Sequence, residues 1–301
     1  MVLSLSGLLN VGLNFFFVLV VGLSVEGVAA ATAIANVFSS VILAAKLRAA
    51  QDATHLSLRK LRIEKQAFRE IVLVGLPAGI QSALFSISNI LIQSSVVAVN
   101  NAISPDTLYQ PVVNGSAAAA NLEGFIYVVM NAVSQGAITF TGQNMGANKP
   151  HRVRRIMSSC VCLSTAFGVG MSILIVALAK PLLSLYGVVQ GAEGSVESIA
   201  YQAAMTRIVY ICIPYFICGL MDVFSGVLRG LGKSITSTII SLIGACLLRV
   251  VWVLTVFPQF NTLSSIFISY PITWAVTALV MYILIRVLMK KIIQQQERSR
   301  I

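Results

Sequence analysis

The residues that could do chemistry in this 301-residue chain are few, and each sits in an apolar setting. Asp222 is the sharpest of them. It lies within an apolar run, seven residues before Arg229. A helix rises about 1.5 Å per residue, so the carboxylate lies roughly 10 Å from that end. An acid at that depth is desolvated, which suits it to take up and release a proton. It could instead bind Na⁺ through its oxygens. A structural ion pair competes with both readings, with Arg249 in the next apolar run as the obvious partner. Arg207 and Arg286 fall nearer the ends of their runs, where long side chains snorkel.

Neutral polar residues accompany these charges. Ser82, Ser86, Asn89 and Gln93 stand at i, i+4, i+7 and i+11, which is one helical stripe flanked by Gln81. Glu123, Tyr127, Asn131 and Gln135 follow at steps of four. Each such step advances about 40° around a helix, so this stripe wraps slowly. Interhelical hydrogen bonding and cavity lining each account for the neutral residues. Two stripes on consecutive helices, one holding a carboxylate, favour a shared polar cavity. Asp222 and Glu123 are then the cation-coupling candidates, with Gln81, Ser86, Asn89, Gln93, Tyr127, Asn131, Gln135 and Arg249 as lining. The aromatic rings of Phe85, Tyr127 and Trp252 are candidates to hold a flat organic cation, against the commoner role of packing. Asn10 and Asn14, with Gly7, Gly12 and Gly22 nearby, read as helix packing.

Other motifs fail on their chemistry. Gly232-Lys233-Ser234 resembles the end of a phosphate-binding loop, but Val227 stands where the first glycine is required. His55 and His151 lack ligand-type neighbours, so no metal site is expected. No nucleophile–base arrangement sits in a plausible pocket, and an enzyme is not expected. Asn114-Gly115-Ser116 is a glycosylation sequon by pattern alone. The five cysteines lie in apolar runs, are odd in number and form no CxxC pair, so they read as small buried hydrophobes.

The elements that must position these residues follow from composition. Hydrophobic residues make up 57% of the chain and charged residues only 10%. A soluble domain of ordinary composition carries about 25% charged residues, so a soluble enzyme and a disordered chain are both excluded. Eight apolar spans can be drawn, at Val2–Leu23, Gly27–Leu47, Ile71–Val99, Val112–Phe140, Ile156–Ala179, Tyr201–Leu228, Ile235–Phe257 and Ser264–Met289. The predicted fold is an all-α polytopic membrane helical bundle of about eight transmembrane helices.

The net charge of +11 is carried by alternate loops. Lys46 to Arg69, Lys149 to Arg155, Arg229 to Lys233 and the tail from Lys290 are basic. Ser24–Glu26, Asn100–Pro111 and Pro258–Leu263 hold no Lys or Arg, and Lys180–Ala200 holds only Lys180. Positive loops stay inside, so both termini are predicted to be cytoplasmic in a multi-pass plasma-membrane protein. The basic excess thus faces anionic lipid rather than nucleic acid. Asn14 to Leu19 can be laid over Arg249 to Leu254, a faint repeat pairing the first two spans with the last two.

Several stretches resemble the multidrug and toxic compound extrusion (MATE) family. Gly136 to Arg155, with its core Gly142-Gln143-Asn144-Met145-Gly146-Ala147, is similar to the cytoplasmic end of that family's eighth helix. Met221 to Gly232 resembles the tenth-helix pattern of an acid followed by Leu-Arg-Gly-x-Gly. Gly75-Leu76-Pro77 resembles the start of the seventh helix, Val25 to Thr32 the turn into the sixth, and Arg249 falls where the eleventh often has Arg.

The resemblance implies helices five to twelve of a twelve-helix fold. Residues 1–47 would be the last two helices of an N-terminal lobe and 48–69 a basic cytoplasmic linker. Residues 70–289 would form a C-terminal six-helix lobe and 290–301 a basic tail. The abrupt apolar start, without the basic region of a signal peptide, fits a chain shortened by four helices. The implied activity is efflux of small organic, often cationic, compounds in antiport with H⁺ or Na⁺, with no other cofactor, in a bacterial inner membrane. Asp222 matches an acidic position implicated in cation coupling in some members. The seventh-helix Glu of some members is absent, with Phe85 near its place. A flippase for lipid-linked saccharides and an inactive shortened chain are the alternatives.

Overall fold

Backbone groups in hydrocarbon have no water to bond, so apolar runs of this length are driven into helices. The computed structural model describes residues 2–51, 55–57, 62–104 and 109–298, and every regular element among them is helical. The side chains of Ser82 and Arg298 and the basic residues Arg59, Lys60 and Arg300 lie outside the described residues. Among the described residues, seven helices are long and apolar enough to cross a membrane, and the count is eight if one bent pair is a single span.

The chain divides into residues 1–68 and 69–301. In the first unit, α1 (Val2–Phe15) runs through a π turn at Phe16–Val20 and packs on α2 (Val25–Ala49). Polar groups bond the two helices: Ser6 Oγ donates to the Ala35 carbonyl at 2.7 Å, and Asn10 Nδ2 to Thr32 Oγ1 at 3.4 Å. Such small-residue and amide contacts replace the hydrophobic driving force that lipid removes.

The second unit holds α3 (Lys65–Ile103) from Arg69 onward, α4 (Pro111–Gly146), α5 (Val153–Ala177) and the short α6 (Ala179–Leu185). The bent span follows. It is α7 (Val196–Arg207) with a π turn at Ile208–Cys212, then α8 (Tyr215–Gly230) turned by 42°. Pro214 stands at the break, where its missing N–H cannot continue the ladder. Span seven is α9 (Ser234–Ser241), a π turn at Leu242–Leu247 and α10 (Leu248–Thr255), extended by α11 (Phe257–Phe260). Short α12 (Leu263–Phe267) leads into α13 (Ser269–Arg298), which carries the helix beyond Met289 into the basic tail.

Helices α4 and α8 form the centre of this unit, packing on each other and on α5, with α4 also against α7 and α8 against α13. Leu122, Ile126, Met130 and Ala137 of α4 recur at helical spacing and are fully or almost fully buried. Gly226 permits a close approach of α8 to α4: a methyl group there would meet the Ser134 carbonyl at 2.8 Å. All five cysteines are free; four are buried, whereas Cys162 is exposed on α5.

Candidate functional site

The polar face of α4 lies opposite its core stripe. Together with α3, α8, span seven and α13 it encloses a cavity of about 650 Å³. Gln81, Ser86 and Asn89 line it from α3, and Tyr127, Asn131 and Gln135 from α4. Asp222 and Arg229 line it from α8, and Arg249 from α10. Spacing alone did not bring out Tyr215, Cys218, Ser225, Ser241 or Trp274, which complete the wall with others. The two stripes therefore meet in one space, and three charged side chains face it.

Asp222 is held by its backbone rather than by a counter-ion. Ser134 Oγ donates to the Asp222 carbonyl at 2.8 Å, directly beside the Gly226 contact. This locks the register of α8 against α4 while leaving the carboxylate toward the cavity. No ion pair forms between Asp222 and Arg249; among the described residues the one ion pair is elsewhere. At the same end, Arg229 Nη2 donates to Gln81 Oε1 at 3.2 Å.

Arg249 is 3% exposed and occupies the other end of the cavity. It stands fifteen residues beyond Ser234, against eight from Gly230 back to Asp222. At about 1.5 Å per residue, it sits roughly 10 Å deeper. Its guanidinium lies 3.9 Å from the Tyr270 ring centroid, and Nη2 donates to Thr273 Oγ1 at 3.3 Å. Nε has no hydrogen-bond partner. Trp274 packs edge-on against both Tyr215 and Tyr270, at 5.2 and 5.6 Å. The deep end is thus an aromatic wall around a cation.

The π turn at Leu242–Leu247 explains how Ser241 and Arg249 share this space. Eight residues of regular α-helix would leave them about 80° apart. Wider π turns rotate less per residue, which brings both toward one face.

Four sequence expectations are corrected. Glu123 does not line the cavity. It is buried, and Arg207 grips it through two contacts, Nε to Oε1 at 2.5 Å and Nη2 to Oε2 at 3.0 Å. Its stripe wraps with every step of four, and Glu123 lies eleven residues, or about 16 Å of rise, before Ser134. Arg207 accordingly does not snorkel: Ser116 Oγ accepts from its Nη1 at 3.0 Å, and its guanidinium lies 5.4 Å from the Phe267 ring. Gln93 is exposed and absent from the lining, being a further turn along α3 past Asn89. Trp252 also lies outside the cavity, its Nε1 donating to the Ser265 carbonyl at 2.8 Å, and Trp274 provides the ring instead. Arg286 is exposed, as a snorkelling residue would be, and bonds Tyr282 Oη at 2.9 Å.

The MatE family profile matches residues 77–255, which contain most of this cavity. The "Probable multidrug resistance protein YoeA" of Bacillus subtilis is 27% identical over 267 residues, covering 86% of this chain and 53% of the relative. The chain therefore spans about half the length of the curated relative it matches. Solved structures share the fold. A MOP superfamily transporter from Pyrococcus furiosus, described as having a binding pocket of reverse polarity, matches with a TM-score of 0.80 at 18% identity. That match covers 96% of this chain and 62% of the other. An outward-facing multidrug resistance MATE family transporter matches with a TM-score of 0.78 at 18% identity, over the same shares. The profile, the relative and the helical bundle agree with one another, and the chain belongs to the MATE family, whose members are membrane transporters rather than enzymes.

Proposed function

We propose that the cavity belongs to a secondary active exporter of small organic compounds, driven by antiport of H⁺ or Na⁺ through alternating access. Asp222 is the coupling group and the stripes of α3 and α4 are the substrate-facing wall. One observation carries this reading: a desolvated carboxylate that faces the cavity without a cationic partner bonded to it. An acid in that state exchanges a cation with the cavity, because no built-in cation is bonded to it. When its occupancy changes, the balance between outward- and inward-open states changes with it, provided the two states bind the ion differently. Glu123 receives a positioning role instead, because Arg207 already neutralises it.

The distribution of basic loops supports an orientation with the Arg229 end and both termini on the cytoplasmic side of a bacterial inner membrane. A flippase of lipid-linked saccharides is less well supported. It needs a strongly cationic cavity for a pyrophosphate, and of the two arginines away from the cytoplasmic end only Arg249 faces the cavity, Arg207 being consumed by its ion pair outside it.

The test is efflux from liposomes containing the 301-residue chain, loaded with a cationic dye under an imposed Na⁺ or pH gradient. Asp222→Asn is expected to abolish gradient-driven efflux while leaving expression and helix content unchanged. Gradient-driven efflux at the wild-type rate in that variant overturns the coupling role.

A further inference from the structure

A second groove, of about 420 Å³, lies outside the central cavity, where the start of α5 meets the end of α13. Val153 and Met157 of α5 and Ile285 and Met289 of α13 form its floor and are buried. Arg154, Arg286 and Lys290 also line it, and all three are exposed. Gln296 Nε2 donates to the Asn148 carbonyl at 2.9 Å and to Asn148 Oδ1 at 3.0 Å, which ties the end of α13 to the turn before α5. Both walls of the groove are therefore held in place.

The charges along it are unresolved. Arg286 and Lys290 stand four residues apart on one helix, so two like charges share a face about 6 Å apart along the axis, which costs stability. Arg154 brings a third cation from the other wall. Neither 146–160 nor 281–296 contains an acid, and among the described residues none of the three cations forms an ion pair. Arg286 gives one donor to Tyr282 Oη at 2.9 Å, a neutral oxygen. The adjacent Arg155 and Lys291 are also exposed, but they stand about 100° further around their helices and do not line the groove.

The groove also crosses a boundary. One apolar span ends at Met289 and another begins at Ile156, so the groove runs from acyl-chain depth at Met157 and Ile285 to headgroup depth at Arg154 and Lys290. A free anion would use the cations and leave the apolar floor uncovered. A lipid with an anionic phosphodiester uses both, because its oxygens accept from the guanidinium and ammonium groups while a chain covers the floor.

We propose that this groove binds an anionic glycerophospholipid, with the phosphodiester held by Arg154, Arg286 and Lys290 and one acyl chain along Met157 and Ile285, so that the lipid clamps α5 to α13. Such a site stands whatever compound or ion the central cavity takes.

Native mass spectrometry of the purified 301-residue chain in detergent tests it, with dioleoyl phosphatidylglycerol or dioleoyl phosphatidylcholine added. The two lipids share their chains and differ in headgroup charge. One phosphatidylglycerol should bind about tenfold more tightly than phosphatidylcholine. Arg154→Gln with Lys290→Gln removes two charges from the groove and should abolish most of that preference. Arg155→Gln with Lys291→Gln removes the same charge one position away and should leave the preference intact. Inorganic phosphate at the lipid's concentration should not displace the lipid. Equal affinities for the two lipids, equal losses in the two variants, or displacement by phosphate overturn the site. A phosphatidylglycerol carrying a diazirine on its acyl chain locates the lipid on the wild type without any substitution. Its label should fall within 153–157 and 285–293, and label confined to other segments overturns the site even if a variant does not fold.

Discussion

Two acids within the helical bundle have opposite fates, although each lies in an apolar helix with an arginine in the same unit. Glu123 and Arg207 close on each other with two hydrogen bonds, and Ser116 takes a further donor. Asp222 and Arg249 face one cavity from different depths and do not meet. The first pair resolves its desolvation internally and has nothing left to offer a ligand. The second leaves both charges to be resolved by whatever enters. An acid in a membrane helix therefore indicates function only when its counter-charge is absent from bonding range, and residue type and depth do not reveal which case holds.

The largest expected effect follows from breaking the closed pair. Glu123→Ala leaves Arg207 buried and uncompensated, and the cost of such a break is about 3–5 kcal/mol. Unfolding of the purified chain by denaturing detergent should register a loss of that order. Asp222→Asn should leave stability unchanged or slightly raised, because it removes a charge that has no bonded partner. Equal losses in the two variants would erase the distinction between the sites.

A sharper form of the comparison removes both members of the closed pair. Glu123→Leu with Arg207→Met replaces it with apolar side chains, and exchanges of this kind are often neutral or stabilising. The double variant should regain most of the stability lost in Glu123→Ala. It should also retain gradient-driven efflux, since the coupling group is untouched. Restored folding with abolished coupling would return Glu123 to the cation path, where its place in the stripe first suggested it.

The spans and the cavity were legible in the sequence to different degrees. Apolar runs force helices in lipid, so the eight spans could be drawn from composition alone, including the one that bends at Pro214. The cavity-facing positions of α3 and α4 could be read because regular α-helices keep i, i+4 and i+7 on one side. The reading broke down where regularity or distance intervened. Glu123 left its stripe through slow wrapping and axial rise. Its partner Arg207 is 84 residues away in sequence, beyond any local pattern. The π turn before Arg249 changes the face on which it emerges, so periodicity could not place it with Ser241. Trp274 and Trp252 look alike as apolar-span aromatics, and only packing distinguishes the ring on the cavity from the one bonded to Ser265.

The smallest expected effect concerns how Asp222 is held. Ser134 Oγ bonds the backbone carbonyl of Asp222, not its carboxylate, so Ser134→Ala removes one interhelical hydrogen bond without touching the charge. Bonds of this kind in membrane bundles contribute about 0.6 kcal/mol on average, and the loss in detergent unfolding should be of that size. The neighbouring Gly226 contact continues to set the distance between α4 and α8, so the helices should not separate. Efflux should persist with a modest fall in rate, because the carboxylate keeps its depth but loses some of its registration. Gly226→Leu acts on the same contact from the opposite direction, forcing the helices apart against the Ser134 carbonyl, and overpacking of this type costs about 1–3 kcal/mol. If Ser134→Ala lost efflux as completely as Asp222→Asn, then the hydroxyl would belong to the ion's coordination shell, and Asp222 would not act as the lone coupling group in its half of the cavity.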